Sequence, residues 1–530
     1  MKTYHHNDRV MSSILDDKAT TFGDKVFVRH REDSLTYGAL AQGTNRIANF
    51  LIEELGVKKQ DKVAVILPNG VDYFYAQFGI AKAGAVMVPV NVMAKLDLLT
   101  HFLNNSDARV VIIDEQFLPL IHSIEQTIPE VTTLIVRGST HETSGGGLTR
   151  IPFKALFSSA ATAPPPLAEW YDPVDIFYTS GTTGVSKGVV LSHNHHYTFG
   201  LAIATYARLD ATDTMYICLP LYHGMGSYMS IMPMLLTGGS IALGDKFSAS
   251  RWLSEIREYG ATATWAVYSM APILMKQPER PDDADNPLKV YLFSGMPPEI
   301  TEGFERRFNV KSIDQYGSTE SADIAHTPWD ERRSGAVGPI NSAFYDIQIV
   351  NEHDEEVPVG EAGECVSRSK YPYMQMNEYY KMPAETVKAF RNRWLHSGDM
   401  CKVDEDGWLY FVGRGKDTIR RRGENISCYE LETILSGHND ILECAAIPVP
   451  SEMGEDDIKV VVAPKKGVAL GVAEIMRFCE EKMPKFMIPR YVELVDEVPK
   501  LANEKADKER MKKEPLTPTT WDVEKRGYVK

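Results

Sequence analysis

Between residues 62 and 138, short β-branched apolar runs such as KVAVIL and ARVVIID alternate with stretches such as DYFYAQFGIAKAGA, in which apolar positions recur at helical spacing. That alternation predicts βαβ units and a mainly parallel sheet. Two small-residue patches, SGGG at 144–147 and SSAATAPPP ending at 166, predict surface loops, and a second α/β stretch follows them. From about residue 335 to 368 the pattern turns to short strands separated by Gly, Pro and Asp turns, as in DIQIVNEHDEEVPVGEAGECVS, which predicts an antiparallel or barrel-like subdomain. Past Gly413 a charged, turn-like segment leads into ELETIL, KVVVAP and VAEIMRFCEEK, the helix, strand and helix patterns of a small α+β unit. No internal repeat is visible, and the residues from about 515 onward read as loosely attached. The fold class expected is therefore α/β, with a large N-terminal domain over 1–413, made of two α/β subdomains plus a small β-barrel-like subdomain, and a small α+β C-terminal domain over 414–530.

Composition narrows the picture. At 530 residues the chain exceeds what one growing core organises, and 43% hydrophobic with 24% charged residues is an ordinary globular balance. With 57 Lys+Arg against 72 Asp+Glu the net charge is -15, the wrong sign for neutralising a nucleic-acid backbone. Cys218, Cys365, Cys401, Cys428, Cys444 and Cys479 are widely spaced and form no CxxC pair, which argues against zinc and against a disulfide framework. The start, MKTYHHNDRV, lacks an apolar signal core, and no run approaches the roughly 20 uninterrupted apolar residues of a membrane helix. The expected location is cytoplasmic, with neither nucleic acid nor a transmembrane segment involved.

The most informative stretch is YTSGTTGVSKG at 178–188. Thr179, Ser180, Thr182 and Thr183 offer hydroxyls, Gly181 and Gly184 let backbone N–H groups approach an anion, and Lys187 adds a compact positive charge, so the segment suits phosphate oxygens. A flexible Gly/Ser/Thr surface loop has the same composition. It is not a Walker A loop, since Ser186 stands where that motif requires its second glycine.

With this loop the chain resembles the acyl-adenylate-forming superfamily of acyl-CoA synthetases, peptide-synthetase adenylation domains and luciferases, and further motifs recur in that family's order almost to the C-terminus. Ser186 departs from the proline that most members carry. In PLYHGMG at 220–226 the resemblance puts Tyr222 and His223 at the acyl pocket, and the segment lacks the acidic residue that binds an α-amino group in peptide-synthetase domains. WAVYSM at 265–270 resembles the acyl wall, with Trp265 and Tyr268 as candidates, and the turn SGMPP implies that Gly295 and Met296 lie along the purine. In DQYGSTE the resemblance assigns Tyr316 to stacking on adenine, Asp314 to its exocyclic amine, Thr319 to the α-phosphate and Glu320 to magnesium, with Gly317 and Ser318 lining the nucleotide. Asp399, at the end of WLHSGD, and Arg414 would bind the ribose. Lys416 matches the hinge between the domains and Gly423 the point where pantetheine passes the backbone. The run Arg420, Arg421 and Arg422 reads equally as a solvated basic face or as an attractor of coenzyme A phosphates. Lys505, in VPKLANEK, matches the catalytic lysine, although Glu504 replaces the usual glycine before it.

The resemblance implies an AMP-forming acid–thiol ligase of carboxylic acid metabolism. ATP, Mg2+ and coenzyme A are the expected cofactors and a small-molecule carboxylic acid is the substrate. Lys505, Thr182, Lys187, Glu320 and His223 are the expected catalytic set, served by a mobile C-terminal domain. A homodimer is the oligomeric option. Loading of a carrier-protein phosphopantetheine, and a non-catalytic nucleotide-binding relative, stay open as alternatives. The stretch RRGENISCYELE looks most like the carnitine/crotonobetaine-CoA ligase branch.

Overall fold

The computed structural model describes residues 1–527 except 95, 140–146, 180–185, 268–269, 296–297, 415–417, 422–423, 452–455, 484, 486 and 502–504. The apolar runs of the N-terminal half form strands buried on both faces: Lys62–Ile66, Val86–Pro89, Val110–Asp114 and Thr133–Arg137 pair in parallel, as expected where helices cover a sheet on two sides. They belong to an eight-stranded sheet that continues through Pro173–Thr179 and its antiparallel neighbour Lys187–Ser192 to the short edge strand Glu378–Tyr379. A second eight-stranded sheet holds Ala263–Val267, Val290–Ser294 and Lys311–Ser318 in parallel, with Ala322–His326 folded back antiparallel at its edge.

The helices His193–Tyr206 and Tyr228–Thr237 pack on each other and are buried on nearly every side, the first of them with His193, Asn194, His195 and His196 inside. One hydrophobic core joins both large sheets and reaches Leu409. The region of short strands forms a five-stranded antiparallel sheet ordered Gly338–Pro339, Trp408–Arg414, Leu395–Val403, Gly363–Ser369 and Tyr345–Val350.

Separate cores begin at Ile419 and run through the C-terminal unit. That unit contains the hairpin Thr418–Arg421 with Glu424–Ser427, the helices Cys428–Ser436 and Val472–Lys482, and a four-stranded sheet. Its end is not loosely attached. Trp521–Asp522 pairs with Tyr491 and Val492 as the sheet's last strand, and Lys459 Nζ donates to the Pro515 carbonyl at 2.7 Å. Burying Lys459 beside Glu493 demands such partners, and the tail supplies them. All six cysteines are free, five of them buried. Among the described residues no helix is long and apolar enough to cross a membrane.

Candidate functional site

The carboxyl ends of the parallel strands Ala263–Val267, Val290–Ser294 and Lys311–Ser318 open onto a cavity of about 1700 Å³, the usual place for a ligand in an open α/β sheet. The neck of the loop at 180–185, the five-stranded sheet and the C-terminal unit supply its other walls.

On one side of the cavity Asp314 accepts from the Gly295 and Gln315 N–H groups, at 2.9 and 2.8 Å, both on Oδ1. Burial nevertheless pushes its carboxyl up to about 7, against the lowering effect of these bonds and of Arg332. Gly295 has φ +71, a left-handed conformation that costs other side chains energy, and it thereby turns its N–H toward Asp314. A Cβ at Gly317 would lie 1.8 Å from the Ala322 carbonyl oxygen, so only glycine lets Lys311–Ser318 turn back here. Ser318 closes the same turn by exchanging hydrogen bonds with Ser321. Tyr316 lines the cavity and donates to Asp399 Oδ2 at 3.1 Å. Asp399 stands directly across from Arg414 in the antiparallel register of the five-stranded sheet.

A second cluster surrounds Thr179, Lys187, Thr319 and Glu320, all of which line the cavity. Thr179 and Lys187 are cross-strand partners at the base of the loop, and the Ser186 hydroxyl donates to the Thr179 carbonyl. Ser186, which departs from the family's proline, thus ties the loop's neck together. Lys187 Nζ lies 4.6 Å above the Tyr379 ring and 3.3 Å from Glu385 Oε2. The Tyr379 hydroxyl in turn donates to Glu320 Oε1 at 3.0 Å.

Tyr222 and His223 line the same cavity, as do Met225, Met229, Val267 and Ile273. Burial, and after it the charge of Lys505, holds the His223 imidazole down at about 4, so it is neutral in the physiological range. Lys505, exposed and near the far end of the chain, lines the same cavity. Its segment is pinned where Leu501 N–H donates to the Lys505 carbonyl at 2.7 Å and Asp507 N–H to the Pro499 carbonyl at 2.7 Å. The C-terminal unit is also latched to the large domain by Lys276, which donates to the carbonyls of Ile441 and Leu442.

The structure does not bring every candidate together. Trp265 is fully buried in the hydrophobic core and is not among the cavity-lining residues, whereas Val267 on the same strand is. Arg421 is neither a solvated cation nor open to a phosphate. It is buried, 3.4 Å from Asp457, and donates to the Ile488 carbonyl at 2.6 Å. Ser180, Gly181, Thr182, Thr183, Gly184, Tyr268, Met296, Lys416, Gly423 and the Arg414 side chain lie outside the described residues. Tyr379 and Lys276 escape the sequence reading, because no motif surrounds them and their partners are remote in the chain.

The family model for AMP-binding enzymes matches residues 15–380, and that for the AMP-binding enzyme C-terminal domain matches residues 430–505. A crotonobetaine/carnitine–CoA ligase of Salmonella heidelberg (strain SL476) is 31% identical over 511 residues, covering 95% of this chain and 98% of that protein. The protein of the same name from Salmonella typhi is also 31% identical over the same share. Among solved structures, the anthranilate CoA ligase AuaEII in complex with anthranoyl-AMP superposes with a TM-score of 0.86 at 24% identity, covering 97% of this chain and 98% of that one. ATP-bound MatB from Rhodopseudomonas palustris superposes with a TM-score of 0.82 at 24% identity, covering 95% and 98%.

Proposed function

On the premise that this chain belongs to the AMP-binding enzyme family, we propose how its residues divide the work of acid activation and thioester formation. It is an ATP-dependent, AMP-forming acid–thiol ligase. A carboxylic acid displaces pyrophosphate from ATP to give acyl-AMP, and the acyl group then passes to the thiol of coenzyme A. The observation that carries the assignment of roles is the convergence of Lys187, Thr319, Glu320, Asp399 and Lys505, from well-separated stretches of chain, on one cavity.

In the first half-reaction two anions meet, so positive charge has to be in place beforehand. Lys505 bridges the carboxylate and the α-phosphate, Lys187 with the loop at 180–185 holds the outer phosphates, and Thr319 donates to the α-phosphate. Tyr316 stacks on adenine, Asp314 accepts from its amine, and Asp399 with Arg414 binds the ribose. Neutral His223 borders the acyl group without adding a charge that would hold the carboxylate back.

Glu320 suits Mg2+, which takes one or two carboxylates and completes its shell with phosphate oxygens and waters. Among the described residues the one group of three metal-capable side chains, His438, Asp440 and Glu474, includes no cavity-lining residue, so no rival protein cage competes there. When bound, the ion would neutralise charge developing on the phosphates. For the second half-reaction the C-terminal domain turns about Lys416, withdraws Lys505 and admits the thiol past Gly423, since one position cannot serve both nucleophiles. Free, mostly buried thiols support a reducing cytoplasm as the setting.

The curated relatives are named for crotonobetaine and carnitine, but the cavity is lined near Tyr222 and His223 in the chain by apolar Met225 and Met229, Val267 and Ile273 also line it, and Trp265 lies in the core. An apolar acyl group is therefore the proposed substrate class. Pyrophosphate release is to be measured with butyrate, hexanoate, benzoate, crotonobetaine and carnitine, with and without coenzyme A. Acid-dependent release favouring the apolar acids, with thioester formed only when coenzyme A is present, is the expected result. Preference for crotonobetaine would overturn the substrate class, and release independent of acid would overturn the reaction. Lys505→Ala should slow acyl-AMP formation by about 100-fold or more while thioester formation from supplied acyl-AMP persists, and equal loss of both would remove the domain rotation.

A further inference from the structure

The helix Leu96–Ser106 is seated by Leu99, Phe102 and Leu103, which are buried in the core that also takes Ile176 and Val190 from the two strands flanking the loop at 180–185. Apolar residues three and four apart form that seat, and the polar positions between them are free to make directed contacts. Asn104 Nδ2 donates to the Thr127 carbonyl at 2.7 Å, and Asp107, just past the helix, accepts from the Tyr380 hydroxyl at 3.0 Å. The Tyr380 N–H in turn donates to the Gly188 carbonyl at 2.8 Å. The helix is therefore a fixed support beside both strands.

Two of its side chains hold the residues at the ends of the loop. His101 Nε2 lies 2.9 Å from the Ser186 carbonyl oxygen, 85 residues away in the chain. A carbonyl only accepts, so Nε2 carries the proton and donates. Asn105 Oδ1 accepts from the Tyr178 hydroxyl at 2.7 Å. The Tyr178 ring packs on Phe102 with centroids 4.5 Å apart and meets His101 edge-on at 5.9 Å, which fixes the hydroxyl's direction. The Ser186 hydroxyl closes the frame across the loop's neck by donating to the Thr179 carbonyl. A serine leaves free the φ that a proline would fix, so at Ser186 hydrogen bonds supply the restraint. Tyr178, Thr179, Ser186 and Lys187 line the cavity, whereas His101 and Asn105 stand behind them and do not.

We propose that His101 is a positioning residue for the outer phosphates of ATP, which acts by clamping the Ser186 end of the loop at 180–185 to the helix while Asn105, through Tyr178, clamps the other end. This rests on the reading that Lys187 and that loop hold the outer phosphates. Fixing the ends of a segment lowers what it loses in entropy on closing about a ligand, so the clamp favours binding without touching the nucleotide. The adenine, the ribose and the α-phosphate are assigned to residues of other strands, so their binding is independent of it.

The test uses ATP with Mg2+ and AMP as paired ligands of the full-length protein, because they differ by the outer phosphates, and no acid is supplied, so ATP is not consumed. Calorimetry should show His101→Leu losing about threefold to tenfold in ATP affinity with AMP affinity unchanged, the loss expected for one hydrogen bond. Tyr178→Phe, which removes the bond to Asn105, should show about a threefold loss of the same kind. His101→Gln, whose side-chain amide can take the place of the Nε2 donor, should restore wild-type ATP affinity. Unchanged AMP binding certifies that each variant is folded. ATP binding by His101→Leu equal to wild type, AMP affinity falling in step with ATP affinity, or His101→Gln as weak as His101→Leu would each overturn the inference. An unchanged ratio of ATP to AMP affinity in Lys187→Met would instead overturn the reading on which it rests.

Discussion

Replacing Asp314 with asparagine isolates one ionisable group in the expected adenine site. The Asp314 carboxyl titrates at about 7 in the free protein because burial outweighs two N–H donors and the nearby Arg332. An exocyclic amine donates most strongly to the ionised form, so base binding should draw the proton off. The ionised fraction is roughly 0.9 at pH 8 and roughly 0.1 at pH 6, which makes binding about ninefold weaker at the lower pH, or about 1.3 kcal/mol. Folding runs the other way. A carboxyl raised from 3.8 contributes stability that is fully present below 3.8 and is lost as pH rises through about 7. Adenosine is the appropriate ligand, since it carries no phosphate to titrate. Its affinity, measured by calorimetry from pH 6 to pH 8, should rise about ninefold in the wild type, while Asp314→Asn should be flat and no tighter than the wild type at pH 6. A wild-type change of less than about twofold, or the same slope in the asparagine variant, would refute the assignment of Asp314.

Lys276→Met should slow acyl-AMP formation several-fold and leave thioester formation from supplied acyl-AMP intact, because it removes the donor that holds the Ile441 and Leu442 carbonyls in the docked arrangement. Burial lowers the Lys276 amine to about 8, so the docked state should gain as pH rises from about 8 toward the ordinary 10.5 and weaken as pH falls through 8. Loss of that pH trend in the methionine variant, read by interdomain fluorescence transfer, checks the sign. Tyr379→Phe should raise the Mg2+ concentration needed for half-maximal pyrophosphate release by about tenfold, since the partners that orient a metal ligand typically matter on that scale. An unchanged Mg2+ requirement would show that Tyr379 does not orient Glu320. Leu292→Ala, at a fully buried site in the centre of a parallel sheet, should cost about 2–5 kcal/mol in urea unfolding of the large domain with little change in the denaturant slope.

The parts of the site that were legible in the sequence are those whose chemistry is contiguous. Asp314 through Glu320 lie within one strand and the turn that ends it, so the resemblance carried by seven consecutive letters singled them out together, and the structure brings all seven to one cavity. Lys187 sits on a strand directly after its loop, and Asp399 and Arg414 are cross-strand neighbours in one antiparallel sheet. Tyr379 was not legible, because its meaning comes from Lys187 and Glu320, both distant in the chain.

By itself the amino-acid order determined where strands and helices form and which loop suits phosphate, because φ/ψ limits and the two-fold or 3.6-fold spacing of apolar residues act over a few positions. Only the tertiary structure decided that Trp265 is core rather than cavity wall, that Arg421 is bound by Asp457, that the C-terminal strand is locked into a sheet, and that the Lys505 charge reaches His223. Each of these depends on partners tens to hundreds of residues away, and burial and pairing at that range are set by how the sheets and the C-terminal unit close on one another, not by any local pattern.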